Sequence, residues 1–253
     1  MRILAVAQNT FREAVRDKVL YVLLFFAGAT ILGSKALGWI SIGQDIKIVK
    51  DISLASVSLF GVLIAIFVGT NLVYKEIDKR TIYTILCRPM RRWEFILGKY
   101  VGMAMLLAVV TLAMAAISGG YVALLGGTLD LTFAMAVLLI YWELLLVTGL
   151  AILFSTVTSP ILGAIMVFCA YVVGHATTIL VDLPEQFHGT VAEKGMAIVY
   201  YALPNLSNFN IRAEAANGVP VAPEYVAWAL VYGVVYTAML LVLASLAFED
   251  KDV

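Results

Sequence analysis

The sequence predicts an all-α integral membrane protein, and three observations carry that expectation. Mean hydropathy is +0.98 and only 13% of residues are charged, where soluble domains carry roughly 25%. Six apolar runs are each long enough for a helix to cross a ~30 Å hydrocarbon core, which takes about 20 residues. The stretch Tyr74 to Lys99 gathers seven of the 17 Lys and Arg residues between two of those runs. A soluble globular domain is excluded.

The N-terminal residues 1–18 carry mixed charge (Arg2, Arg12, Glu13, Arg16, Asp17, Lys18) and lack a small-residue cleavage signature, so they do not read as a signal peptide. Leu4, Ala7, Phe11 and Val15 fall on one helical face, and Asn9, Arg12, Glu13 and Arg16 on the other. This pattern predicts an amphipathic helix lying in the membrane interface.

Spans are expected at about 19–40, 52–74, 100–125, 131–157, 161–181 and 225–247. The first is weakest, because Lys35 interrupts it, and one or both of Lys18 and Lys35 must snorkel to the headgroups. The fourth and fifth are parted only by Thr158-Ser159-Pro160, with proline opening the new helix. Residues 182–224 form the one substantial segment on the other side. They hold four prolines and the turn-rich run Leu203-Pro-Asn-Leu-Ser-Asn-Phe-Asn.

Orientation follows from charge. Twelve Lys and Arg flank the spans on the side of the termini and the basic insert, against five (Lys35, Lys47, Lys50, Lys194, Arg212) on the other. Basic residues concentrate on the cytoplasmic side, so both termini are expected in the cytoplasm and the chain in a cell inner membrane.

Within the insert, residues 75–87 can form an amphipathic helix with Ile77, Ile82, Ile85 and Leu86 on its apolar side. Pro89 biases Arg88 away from helical geometry and ends it. Trp93 stands where an interfacial aromatic anchor belongs. Gly98 and Gly102 give the next span a small-residue face that another helix can approach closely.

The ordered residues Glu76, Thr81, Leu86, Pro89, Arg92 and Lys99 resemble the cytoplasmic loop of ABC-2 type transporter permeases. The resemblance covers residues 1–253 as one transmembrane domain and implies the six-span architecture of type V exporters. It implies that segment 75–92 couples to an ABC ATPase, with Glu76, Thr81, Ile82, Leu86, Pro89 and Arg92 at the contact. It further implies two ATPase copies holding ATP and magnesium, a second copy of this chain, and, in some members, a periplasmic partner. The insert is similar, too, to that of the permeases associated with nitrous oxide reductase maturation. Arg80 departs from the glycine that many members carry before the threonine. No G-x-x-x-x-G-K-[ST] motif is present, so nucleotide chemistry is expected in a separate chain and not in this one. A positive-inside anchor with no partner is the plainer account of the same charges.

Two intramembrane polar residues are candidate sites, Glu143 in the fourth span and His175 in the fifth. Glu143 is either a substrate or proton contact or a hydrogen-bonded tie between helices, and the tie is expected, since no second acid or base is evident at its depth. A satisfied interhelical role is likewise expected for His175. Cys87 and Cys169 lie in unlike environments and offer neither a disulfide nor a metal spacing. No catalytic arrangement, metal cluster or nucleic-acid motif is recognisable. An ion- or proton-coupled secondary carrier and a non-transporting scaffold stand as alternatives; the first lacks the inverted repeats and broken helices such carriers use.

Overall fold

The computed structural model describes residues 2–38, 44–78, 91–176 and 203–249, and every long element among them is a helix. In chain order these are α1 (Arg2–Val15), α2 (Lys18–Gly38), α3 (Asp45–Asp78), α4 (Arg92–Leu124), α5 (Leu131–Val157) and α6 (Pro160–His175). A 3-10 turn (Leu206–Phe209), the short α7 (Arg212–Asn217) and α8 (Pro223–Glu249) follow. α2, α3, α4, α5 and α8 are long and apolar enough to cross a membrane, and α6 is a shorter apolar helix.

The helices run alternately between two ends of a bundle. The insert end holds Lys18, Asp78, Arg92, Val157, Pro160 and Glu249; the far end holds Gly38, Asp45, Leu124 and Leu131. α3 and α5 form the centre, each 67% buried along its most apolar stretch, against 22% for α2 and 28% for α8. Small residues let the central pair close. A Cβ on Gly61 would meet Leu144 Cδ1 at 2.6 Å, and one on Gly69 would meet the Ala151 methyl at 3.1 Å. Buried hydroxyls in this core bond back to their own helix, as in Ser56 to Ile52 O (2.7 Å), Thr70 to Ile66 O (2.8 Å) and Thr148 to Leu144 O (2.8 Å).

α1 packs lengthwise on α4, and the face it buries overlaps the expected one. Ala7 is buried and Phe11 and Val15 pack against the core, while Leu4 is left out at 59% exposed and Thr10 and Ala14 join the buried side. The close approach is made at the notch of Gly98 and Gly102. A Cβ there would lie 2.6 Å from Val6 Cβ and 2.6 Å from Thr10 Cβ, so the two glycines let the Val6, Ala7 and Thr10 side of α1 close onto the α4 backbone. Lys99, counted with the exposed basic residues of the insert, is instead 1% exposed beneath α1, 3.8 Å from Glu13 Oε2 and stacked on Phe95.

α3 is longer than its apolar run. Its 34 residues reach about 51 Å at ~1.5 Å per residue, and residues 75–78, expected to open a separate helix, continue α3 unbroken. α6 is shorter than expected: it stops at His175 and not near 181. There the Ala176 N–H closes on Val172 O and Val173 O. Gly174 lets the Pro204–Leu206 segment close on this helix end: a Cβ there would lie 2.8 Å from Pro204 O and 3.0 Å from Leu206 Cδ1. Residues 203–219, expected within the 182–224 loop, pack among the helices, and Leu206 and Phe209 are fully buried. Irregular backbone at this depth is tolerable because protein surrounds it. Asn205 accepts from Ser207 N (3.1 Å), and the Asn205 N–H is donated to Tyr232 Oη (2.8 Å).

Candidate functional site

The Glu143 carboxylate lies halfway along α5 and is 2% exposed. Because α5 and α6 form a tight hairpin across Thr158-Ser159, the end of α6 returns to the same level. His175 Nε2 there sits 2.7 Å from Glu143 Oε1. The other carboxylate oxygen accepts from Ser58 Oγ of α3 at 3.4 Å. Tyr171, one turn before His175, turns its ring edge-on to the imidazole with centroids 4.7 Å apart. Its hydroxyl lies within electrostatic reach of Glu143, Ser58 and Arg212. Ser207, within the 3-10 turn, donates from Oγ to His175 O at 3.1 Å.

Three long-range elements thus meet on one carboxylate. An acid and a base in contact can be written as carboxylate with imidazolium or as carboxylic acid with imidazole, and both forms are neutral overall. Neutrality is what a site in the bundle interior demands, since an unpaired charge there is costly. The pair can therefore hold one proton without net charge, and it cross-links α3, α5 and α6 whichever atom carries it. The expectation that no base lies at the depth of Glu143 is corrected here. His175 is that base, hidden from sequence because α6 ends at this level and does not run on. Ser58 and Tyr171 were missed; the one available signal was a hydroxyl within an otherwise apolar helix.

The second arrangement is at the insert end. α3 and α4 pack on one another, and the insert joins Asp78 to Arg91. Glu76 is a backbone position in the last turns of α3. Thr81, Ile82, Leu86 and Pro89 lie outside the described residues. Glu94 Oε2 accepts from the Arg91 N–H at 3.1 Å, which fixes the start of α4. Arg92 Nη1 donates to Phe248 O at 2.9 Å, and its guanidinium stands over the Phe248 ring, 5.9 Å from the centroid. Phe95 stacks on the same ring at 6.0 Å. The end of α8 is therefore clamped to the start of α4, and α1 is seated on α4 one turn further in. α1 and α8 thus both rest on α4, the helix that follows the insert. Trp93, 41% exposed, stands at the outside of this end.

A family model described as ABC-2 family transporter protein matches residues 4–253. No curated protein matches the chain.

Proposed function

The chain belongs to the ABC-2 transporter family, and on that premise we propose that this multi-pass membrane permease is the transmembrane half of an ATP-driven exporter. Two copies pair, and two ATPase chains, each holding ATP and magnesium, bind at the insert end. That end faces the cytoplasm together with both termini, in keeping with the twelve-to-five charge split. Segment 75–92 is the coupling element. Glu76 and Arg92 flank the contact, Thr81 and Pro89 shape the loop, and Ile82 and Leu86 fill an apolar groove of the ATPase.

The observation that carries the reading is the clamp just described. The insert hangs between two packed helices, and Arg92 binds the end of α8. A push on this loop is thereby shared by four helices. Transmission of force to a periplasmic partner, in place of passage of a substrate, is the alternative form of this reading within the family, and the insert's similarity to permeases associated with nitrous oxide reductase maturation supports it. The test is purification of the wild-type chain from its own membranes. A stoichiometric ATPase supports the assignment, and a chain that never carries one defeats it.

The buried Glu143–His175 pair favours a second reading, a proton-coupled carrier. Uptake driven by a pH gradient in vesicles holding this chain alone would establish it; no gradient-driven flux leaves the ATP-driven reading standing.

A further inference from the structure

The far end of the bundle carries a basin that the coupling mechanism does not use. Four pieces of chain enclose it: the end of α2, the start of α3, the α4–α5 turn and the end of α7. Its volume is about 630 Å³, within the usual range of small-molecule sites. Lys35, Lys47 and Lys50 line it against two carboxylates, Asp45 and Asp130.

Lys50 makes this more than a set of surface charges. It is 4% exposed, and among the described residues its ammonium has Asp130 Oδ2 as partner at 3.4 Å. An ammonium offers three donors, so further N–H groups remain for an acceptor in the basin. Asp130 is engaged by Lys50, which leaves Lys35 and Lys47 facing Asp45 alone, an excess of one positive charge. The first turn of the 34-residue α3 opens into the same basin and adds the positive end of its dipole. Apolar wall comes from Ile46, Val49 and Leu125. The turn that shapes the floor is fixed: Gly126 has φ +81°, and a Cβ on Gly127 would meet Val122 Cγ1 at 2.7 Å.

Positive charge, a buried donor and an apolar wall at the end of membrane helices fit an anionic group attached to something greasy. We propose that this basin binds a phosphate group, either the headgroup of an anionic phospholipid or a soluble phosphate. Lys47 and Lys35 draw the anion in, Lys50 hydrogen-bonds it, and the apolar wall takes the adjoining glycerol or acyl carbons. The site is independent of any ATPase.

The test uses the full-length chain in mild detergent, doped either with phosphatidylglycerol, with phosphatidylcholine, or with inorganic phosphate alone. Thermal stability and lipid retention by native mass spectrometry are read for wild type, for the Lys35→Gln/Lys47→Gln double variant and for the Lys35→Arg/Lys47→Arg control. Wild type should prefer phosphatidylglycerol over phosphatidylcholine, the Gln variant should lose that preference by roughly tenfold or more, and the Arg control should keep it. Stabilisation by inorganic phosphate alone identifies a soluble phosphate, and stabilisation by phosphatidylglycerol alone identifies the headgroup. If neither probe is bound, or if the Gln variant binds as well as wild type, the proposal is wrong. Should the double variant misassemble, the single Lys47→Gln variant gives the same reading.

Discussion

The 2.7 Å contact between His175 Nε2 and Glu143 Oε1 joins the end of α6 to the midpoint of α5. Ser58 reaches the same carboxylate from α3. Glu143→Leu leaves both without their acceptor inside the bundle, at about 1–3 kcal/mol for each stranded polar group. It should lower the melting temperature and broaden the size-exclusion profile. Glu143→Gln keeps a carbonyl acceptor and is expected to stay close to wild type in assembly. If Gln abolishes transport in a normally assembled complex, the carboxylate handles a proton or substrate and is more than a tie.

α1 depends on two glycines of α4. Gly102→Ala places a methyl 2.6 Å from Thr10 Cβ and 2.7 Å from Ala7 O, with no flexible side chain to yield on the carbonyl side. Overpacking of this kind costs about 1–3 kcal/mol, against which alanine's helix propensity returns at most ~1 kcal/mol. The variant should loosen α1, and trypsin should cut sooner at Arg12 and Arg16. Gly28→Ala in α2 meets nothing within 4 Å and is the control, expected neutral or slightly stabilising. Equal trypsin sensitivity in Gly102→Ala and wild type would contradict the docking.

Sequence pattern makes some of this architecture legible and leaves the rest hidden, for physical reasons. Pro160 after Thr158-Ser159 marks the α5–α6 turn because proline suits the first turn of a helix and little else nearby. Gly98 and Gly102 advertise a close approach, yet nothing local says that the approaching helix is α1, from the other end of the sequence. Hydrophobic spacing in α1 finds Ala7, Phe11 and Val15 on the packed side but also points to Leu4, which stays exposed, and it does not find Thr10 and Ala14, which the notch brings in. Glu143 and His175 each stand out as polar residues in apolar runs. Their pairing, 32 residues apart, depends on where α6 stops. Pro204 and Leu206 pack on Gly174 at that end, a tertiary contact with no helical or strand period to betray it.

Arg92 serves the structure through Phe248. Arg92→Ala removes the bond to the Phe248 carbonyl and the stacking over its ring, a combined loss of about 1–3 kcal/mol. Phe248→Leu removes only the ring contact and should cost less. Both variants are expected to free the end of α8, read as faster carboxypeptidase trimming with insertion unchanged. If trimming is unaltered, the clamp contributes nothing to holding α8.

Sidedness is open to chemical labelling. Single cysteines replacing Lys79 and Lys251, in a Cys87→Ser/Cys169→Ser background, should resist an impermeant maleimide in intact cells. One replacing Lys194 should react. Labelling of position 79 from outside would overturn the orientation drawn from the twelve-to-five charge split.

The proposed coupling contact can be tested at Leu86, in the segment that joins α3 to α4. If it fills an apolar groove on an ATPase, truncation to alanine should cost ~2 kcal/mol or more, roughly thirtyfold in affinity. Leu86→Asp brings an unpaired charge into the same groove and should cost more than the truncation. Neither change touches a span, so insertion and pairing of the permease serve as the internal control. ATPase co-purification and substrate-stimulated hydrolysis are then measured for the wild type and both variants. The expected order of retained ATPase is wild type, then Leu86→Ala, then Leu86→Asp, with hydrolysis uncoupled in step. Loss of the ATPase with normal insertion places the contact at this loop. Retention of the ATPase with full coupling in Leu86→Asp reduces segment 75–92 to a positively charged anchor, and the lever through Arg92 and Phe248 would then need another point of attack.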